Sequence, residues 1–282
     1  MKYQVIMFAP DRWGELEKFS KFYSSTYQFD HHTGNALSGA TNHFHKVMTL
    51  FDFAQRIKAN LEEDNKEIAQ HGYTPAIRGK ELSAIIETIF LDLYSSIDCT
   101  RQVINFIFKN YTGVPKSTRK LFENALKDKI DKRVPKSIRM ALKNATWYDE
   151  FRKIRDELTH SDIGTCHLDK NTGKVFYMHS GLGTFSKASV IEDIFEKLSS
   201  LIKDVNVFLG QVYHSLNSQL SDKEVWQVCG IFDGRIYSRF VKSSEAKDFN
   251  SGRCEAFQWF EKDENPTCPF VDNCGAYKNL RC

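Results

Sequence analysis

Between Gly79 and Asn110 the chain carries Leu82, Ile85, Ile86, Ile89, Phe90, Leu93, Ile97, Ile104 and Phe108. These apolar positions recur at helical spacing and cover more than one face. A helix apolar over so wide an arc is buried on two sides, so the rest of the fold must supply elements that sandwich it. The same helix keeps a polar seam. Counted from Glu87, the residues Ser95, Asp98, Gln102 and Asn105 follow at offsets of 8, 11, 15 and 18, close to multiples of the helical repeat. Polar groups on a buried helix must find partners or line a cavity. Either these side chains bond neighbouring loops, or they face a site.

Further amphipathic helices are expected around it. Phe44, Val47, Met48, Phe51, Ala54 and Leu61 predict one that Gly72 and Pro75 close, with Glu62, Glu63 and Asp64 as a solvated surface. Before it, His31 to Gly39 reads as a loop. Met1 to about Tyr27 reads as a short strand, Tyr3 to Phe8, followed by an aromatic-rich helix. Lys116 to Asp131 and Pro135 to Asn144 predict two shorter helices rich in Lys and Arg, within a basic stretch from Lys109 to Lys153. That stretch either attracts anions or solvates a face. Trp147, Phe151, Ile154 and Leu158 form a narrow helical stripe that Gly164 terminates.

A hairpin is expected from Thr165 to Leu168 and Val175 to Met178, then a long helix from Ser186 to about Leu216. A second hairpin, Val225 to Ile231 and Arg235 to Val241, turns at Asp233-Gly234. The expected organisation is an N-terminal extension (1–39), a helical domain (40–220) and a small hairpin and Cys-rich region (221–282). The fold class is mainly α, an antiparallel helical bundle with small β-hairpin insertions and a C-terminal β/Cys-rich appendage.

Composition narrows the function classes. No run of eighteen apolar residues exists, which excludes a membrane-spanning helix. Val5 to Ala9 is too short for a secretory signal, so the chain is expected in the cytoplasm. With 39 basic and 36 acidic residues the net charge is +3, which excludes a polycation but leaves room for a local basic groove. There is no Gly-rich phosphate loop, no His-Glu-x-x-His and no Gly-x-Ser-x-Gly. His43 and His45 are two apart and share no helix face.

The chemistry concentrates on Arg155 and His160. A guanidinium is a fixed positive fork suited to phosphate. An imidazole titrates near neutrality and can take a proton from a 2′-hydroxyl or give one to a leaving 5′-oxygen. Together they suffice to cut RNA without a metal. Arg152, Asp156 and Thr159 share their polar arc, and Asp156, four residues before His160, is placed to fix its tautomer. On an ideal helix Arg155 and His160 stand about 140° apart. They meet on one phosphate only if the helix frays at Ser161 to Gly164 or if a second copy of the chain completes the site. The alternative is a solvated helix end on which His160 caps the last carbonyls. Tyr148, beside both arginines, either stacks a base or packs at a domain edge.

The segment Phe151-Arg-Lys-Ile-Arg155-Asp156-Glu-Leu-Thr-His160 resembles the Arg-x(4 to 6)-His motif of the HEPN (higher eukaryotes and prokaryotes nucleotide-binding) domain family. Asp98, within Tyr94-Ser-Ser-Ile-Asp98-Cys-Thr-Arg101, looks like the polar position that many such domains carry on an earlier long helix. The resemblance covers about residues 40–217 and is greatest to prokaryotic variants with a hairpin after the motif helix. It implies a metal-independent endoribonuclease, active in toxin–antitoxin or antiviral defence, that works as a homodimer with both motifs in a shared cleft. An antitoxin or other defence protein would be its partner. The family's commoner form has Asn after the Arg, and the N-terminal strand and Cys-rich tail lie outside its core. The alternative function is a non-catalytic nucleotide- or RNA-binding module, or a helical protein-interaction module.

The tail carries Cys254, Cys268, Cys274 and Cys282. Seven cysteines in a cytoplasmic chain argue against a disulfide framework. Four thiolates around a structural zinc would order a segment too small for its own core; otherwise these are free or buried thiols. Cys229, on a strand, is expected to pack in the core. No cofactor is expected for catalysis.

Overall fold

In a computed structural model, residues 14–160, 163–182, 190–232, 234–246, 250–262, 264–265 and 267–280 are described. The expected strand at Tyr3 to Phe8, the expected helix start at Ser186 and Asp233 of the second turn lie outside them. The helices are α1 (Glu15–Phe22), α2 (His31–Ile57), α3 (Leu61–His71), α4 (Ile77–Phe108), α5 (Thr118–Leu126), α6 (Lys136–Asn144), α7 (Tyr148–His160), α8 (Ile194–Asn217), α9 (Phe257–Phe260) and α10 (Gly275–Lys278). Strands β1 (Thr165–Leu168), β2 (Val175–Met178) and β3 (Val190–Ile191) form one antiparallel sheet. A second antiparallel sheet holds β4 (Glu224–Phe232), β5 (Arg235–Lys242) and β6 (Arg253–Cys254). The chain is thus mainly helical with two small sheets. Among the described residues no helix is long and apolar enough to cross a membrane.

Two compact units divide the chain: His31–Leu209, and the residues before His31 together with those from Gly210 on. The first is built on α4, whose Leu82, Ile86, Ile89, Phe90, Leu93, Ile97, Val103 and Ile104 are all buried. It packs on α2, α3, α5, α7 and β1, so the wide apolar arc is sandwiched as its sequence demands. Helix α2 runs antiparallel to it: His43 meets Asp92, and Gly39 faces Cys99.

Helix α2 starts at His31, so the loop expected over His31 to Gly39 is not formed. One face of this segment packs: Thr33 is buried there, while Asn35 and Ser38 stay exposed. Ala36, Leu37 and Ala40 are buried, and a Cβ at Gly39 would come within 2.9 Å of the Cys99 sulfur. Apolar burial at roughly 25 cal/mol per Å² outweighs the helical cost of a glycine, about 1 kcal/mol.

Nor are the acids of α3 all solvated. Asp64 is 7% exposed. Its Oδ2 accepts the Gly79 N–H at 2.8 Å and its Oδ1 the Arg78 N–H at 3.3 Å, both in the first turn of α4. The residue before that turn, Ala76, is left-handed (φ 52°) and makes no side-chain cap. Asp64 therefore supplies from a neighbouring helix the acceptor that α4 lacks. Asp64→Ala is expected to cost about 1–3 kcal/mol of stability by stranding those amides, read as a lower midpoint in urea; an unmoved midpoint would show that water replaces the carboxylate.

After α7 the hairpin forms in the register Thr165↔Met178 to Leu168↔Val175. Val190 and Ile191 extend its sheet as β3, so the next helix begins at Ile194 and not at Ser186. Asp193 explains that start: its Oδ1 accepts the N–H groups of Phe195 and Glu196.

In the second unit, Phe22, Val225 and Val241 form one small apolar cluster. Tyr237, Phe260, Cys268, Cys274, Ala276 and Tyr277 form another. The β4–β5 hairpin carries a bulge between Val228 and Gly230, which sets Cys229 out of the ladder.

Candidate functional site

Helix α7 is anchored by the stripe seen in its sequence. Phe151, Ile154 and Leu158 are buried, and Phe151 packs against Phe90 and Tyr94 of α4. Asp149 and Glu150 in its first turn suit the positive end of the helix dipole. The remaining arc carries the charged residues.

Arg155 is seated on α4. Its guanidinium carbon lies 3.7 Å from the centroid of the Tyr94 ring, a cation–π contact. Nη1 is 3.1 Å from Asp156 Oδ1, and the side chain is 24% exposed. Arg152 donates from Nη1 to Asp156 Oδ2 at 2.6 Å and from Nη2 to Asp149 Oδ1 at 3.1 Å. Asp156 is therefore bracketed by two guanidinium groups. The Nε–H groups of Arg152 and Arg155 are both buried with no acceptor, so neither cation is saturated. Thr159 turns its hydroxyl back onto the Arg155 carbonyl at 2.8 Å.

The backbone of His160 closes α7, but its side chain, with Ser161 and Asp162, lies outside the described residues. Just beyond, the chain is tied down. Glu87 Oε1 accepts the Gly164 N–H at 2.7 Å and the Tyr177 hydroxyl at 2.8 Å. A Cβ at Gly164 would lie 2.5 Å from that hydroxyl, so only glycine fits. Burial, reinforced by the Glu87 carboxylate, holds the Tyr177 phenol protonated, with its pKa raised.

Asp98 shares the face of Tyr94, one turn along α4. It accepts from Thr118 at the start of α5, from Arg101 at 3.0 Å and from Gln102 at 3.3 Å. Burial works against its ionisation, but these donors outweigh it and hold the carboxyl below its ordinary value. A depressed folded-state pKa contributes stability that is complete above the unfolded value, about 4, and is lost as pH falls through the folded value. On acidification below about pH 4, wild type is expected to lose more melting temperature than Asp98→Asn; parallel curves would remove this role.

Tyr148 is a core residue and stacks no base. It is buried, its ring lies 3.7 Å from that of Phe122 at 5° between planes, and its hydroxyl meets that of Tyr94 at 3.2 Å. Burial raises its pKa. Much of the basic stretch is paired internally: Arg119 with Glu123, Arg133 with Asp131, Lys143 with Asp128 and Lys153 with Asp149. The polar seam on α4 mostly bonds its neighbours, for Asn105 donates to the Val114 carbonyl as Glu87 and Asp98 hold theirs.

Two groupings were not singled out from the sequence. Tyr94, the platform for Arg155, is one; its place one turn before Asp98 was the only signal. The other is Asp92, buried on the side of α4 that faces α2. Its oxygens meet His43 Nδ1 at 2.7 Å and Lys46 Nζ at 2.8 Å. Asp92 and Tyr94 are about 200° apart round α4, so this clamp and the Arg155 site occupy different faces.

Of the cysteines in the expected zinc set, Cys268 and Cys274 are buried, Cys254 is half-buried, and Cys282 lies outside the described residues. Set against family models, curated proteins and solved structures, the chain matches none of them.

Proposed function

We propose that the chain is a metal-independent endoribonuclease of the HEPN kind, acting as a homodimer. The observation that carries this reading is the setting of Arg155. Its cation rests on an aromatic ring, touches one carboxylate and stays partly exposed, five positions before His160 at the helix end. A phosphodiester oxygen could meet the Arg155 fork through the same kind of charge-assisted bond that Asp156 now makes to it.

In the reaction, Arg155 holds the scissile phosphate and stabilises the charge that builds on its oxygens. His160 accepts the proton of the 2′-hydroxyl as that oxygen bonds phosphorus. An imidazolium returns a proton to the 5′-oxygen as its bond to phosphorus breaks. The products are a 2′,3′-cyclic phosphate and a free 5′-hydroxyl. The separation of about 140° between the two side chains on one helix is met by a twofold arrangement, in which two helix ends furnish one cleft. A role as a toxin or antiviral effector, with a partner protein that restrains it, follows from the same resemblance.

The test is cleavage of structured and single-stranded RNA with EDTA present, comparing wild type with His160→Ala. Product from wild type alone supports the reading, and equal product from both removes it. Binding that weakens steeply with salt but yields no product would assign the same arginines to a binding module.

A further inference from the structure

Four cysteines from separate stretches of the second unit gather on one small core. Cys229 stands at the bulge of β4, Cys254 in β6, Cys268 in the connection that follows α9, and Cys274 immediately before α10. Cys268 and Cys274 are buried with Tyr237, Phe260 and Tyr277, and Cys254 packs on the same cluster. Arg239 joins the remaining thiol to them. It lies opposite Cys254 in the β5–β6 register, and its Nε donates to the Cys229 sulfur at 3.1 Å. Cys254 lies within electrostatic reach of Cys268, Cys229 and Cys274, and Cys268 of Cys274 and Cys229.

The donors around these sulfurs are those that thiolates require. The Ala256 N–H points at the Cys254 sulfur and the Phe270 N–H at the Cys268 sulfur, each from two residues further on. A protonated thiol is a weak acceptor, so two backbone amides and a guanidinium aimed at it are poorly matched. A bound cation would supply the match, because a metal-bound sulfur is a thiolate and these donors would then meet negative charge.

From this arrangement we propose that Cys229, Cys254, Cys268 and Cys274 form a tetrathiolate zinc site that closes the C-terminal region. A set of four sulfurs selects zinc or an iron–sulfur cluster. A single ion disturbs the packing of Tyr237, Phe260 and Tyr277 less than a bulky cluster would. Among the described residues no three His, Cys, Asp or Glu side chains are grouped tightly enough to hold a metal as they stand. A zinc ion held by all four would need each sulfur at about 2.3 Å from it, closer together than they stand. Each thiol releases its proton to solvent as its sulfur lone pair binds Zn²⁺, and no oxidation state changes. Cys229 takes the place that the sequence pattern had offered to Cys282.

The experiment is metal analysis of the full chain purified without chelator, with cobalt substitution alongside. About one zinc per chain is expected, with a cobalt spectrum of four thiolate ligands. Cys229→Ser, Cys254→Ser, Cys268→Ser and Cys274→Ser are each expected to lose about tenfold or more of the zinc affinity. Cys282→Ser, Cys99→Ser and Cys166→Ser are expected to keep it. Wild type without zinc, iron in its place, or a cobalt spectrum with nitrogen or oxygen ligands would each overturn the proposal. So would Cys282→Ser losing the metal while Cys229→Ser keeps it. The cobalt spectrum is read on wild type, so the answer does not depend on whether the variants fold.

Discussion

His160→Ala is expected to lower the rate of RNA cleavage by about 10²–10⁴-fold, the range over which a positioned proton-transfer group acts. Arg155→Ala is expected to lose about 10²–10³-fold, as for removal of one donor from a developing oxyanion. Arg155→Lys is expected to recover little of that, because an ammonium can neither lie flat on Tyr94 nor present a planar fork. The sharper measurement mixes the two alanine variants. If each cleft draws an Arg from one protomer and a His from the other, dimers that combine the variants regain activity. After subunit exchange these make up about half of an equimolar mixture. A site completed within one chain gives no recovery, because neither variant carries both groups. A mixture as inactive as its components would exclude the shared cleft, and a fully active His160→Ala would exclude catalysis by this residue.

The second large effect is on stability. Tyr148→Ala is expected to cost about 3–5 kcal/mol, the range for deleting a buried aromatic side chain, out of about 5–15 kcal/mol for a typical protein. The reason is local. Tyr148 is 4% exposed, lies flat on Phe122 and meets Tyr94 through its hydroxyl. Deleting it opens a void beside the ring that carries Arg155. Tyr148→Phe keeps the stack and loses one hydrogen bond, for about 1 kcal/mol. Denaturant midpoints would give both numbers. Activity per folded molecule should be unchanged in Tyr148→Phe, and a drop there without loss of stability would return this side chain to the substrate.

What could be read from the sequence divides by the range of the interaction. Helix α4 and the stripe on α7 were legible because a wide or narrow apolar arc is written in consecutive residues. Both hairpin spans were legible from their strand and turn residues. The start of α2 was not, because Gly34, Ser38 and Gly39 follow loop statistics and the packing partner of Gly39, Cys99, lies sixty residues away. Asp64 looked like one more surface acid because the amides it serves belong to another helix. Tyr148 looked available because Phe122 cannot be inferred from neighbours on α7. At the candidate site the sequence supplied Arg152, Arg155 and Asp156 as one polar arc, and the ion pairs among them agree with that geometry. It could not supply Tyr94, since an aromatic ring inside a buried helix carries no mark of what lies above it.

The Tyr94 platform has a consequence for any anion that Arg155 receives. One flat side of the guanidinium is covered by the ring, so recognition is left to its rim. An oxyanion must come in nearly coplanar with the fork, displacing the Asp156 oxygen from Nη1. Flat or forked oxyanions that can lie in that plane should therefore compete best for the position, and compact monovalent anions such as chloride poorly.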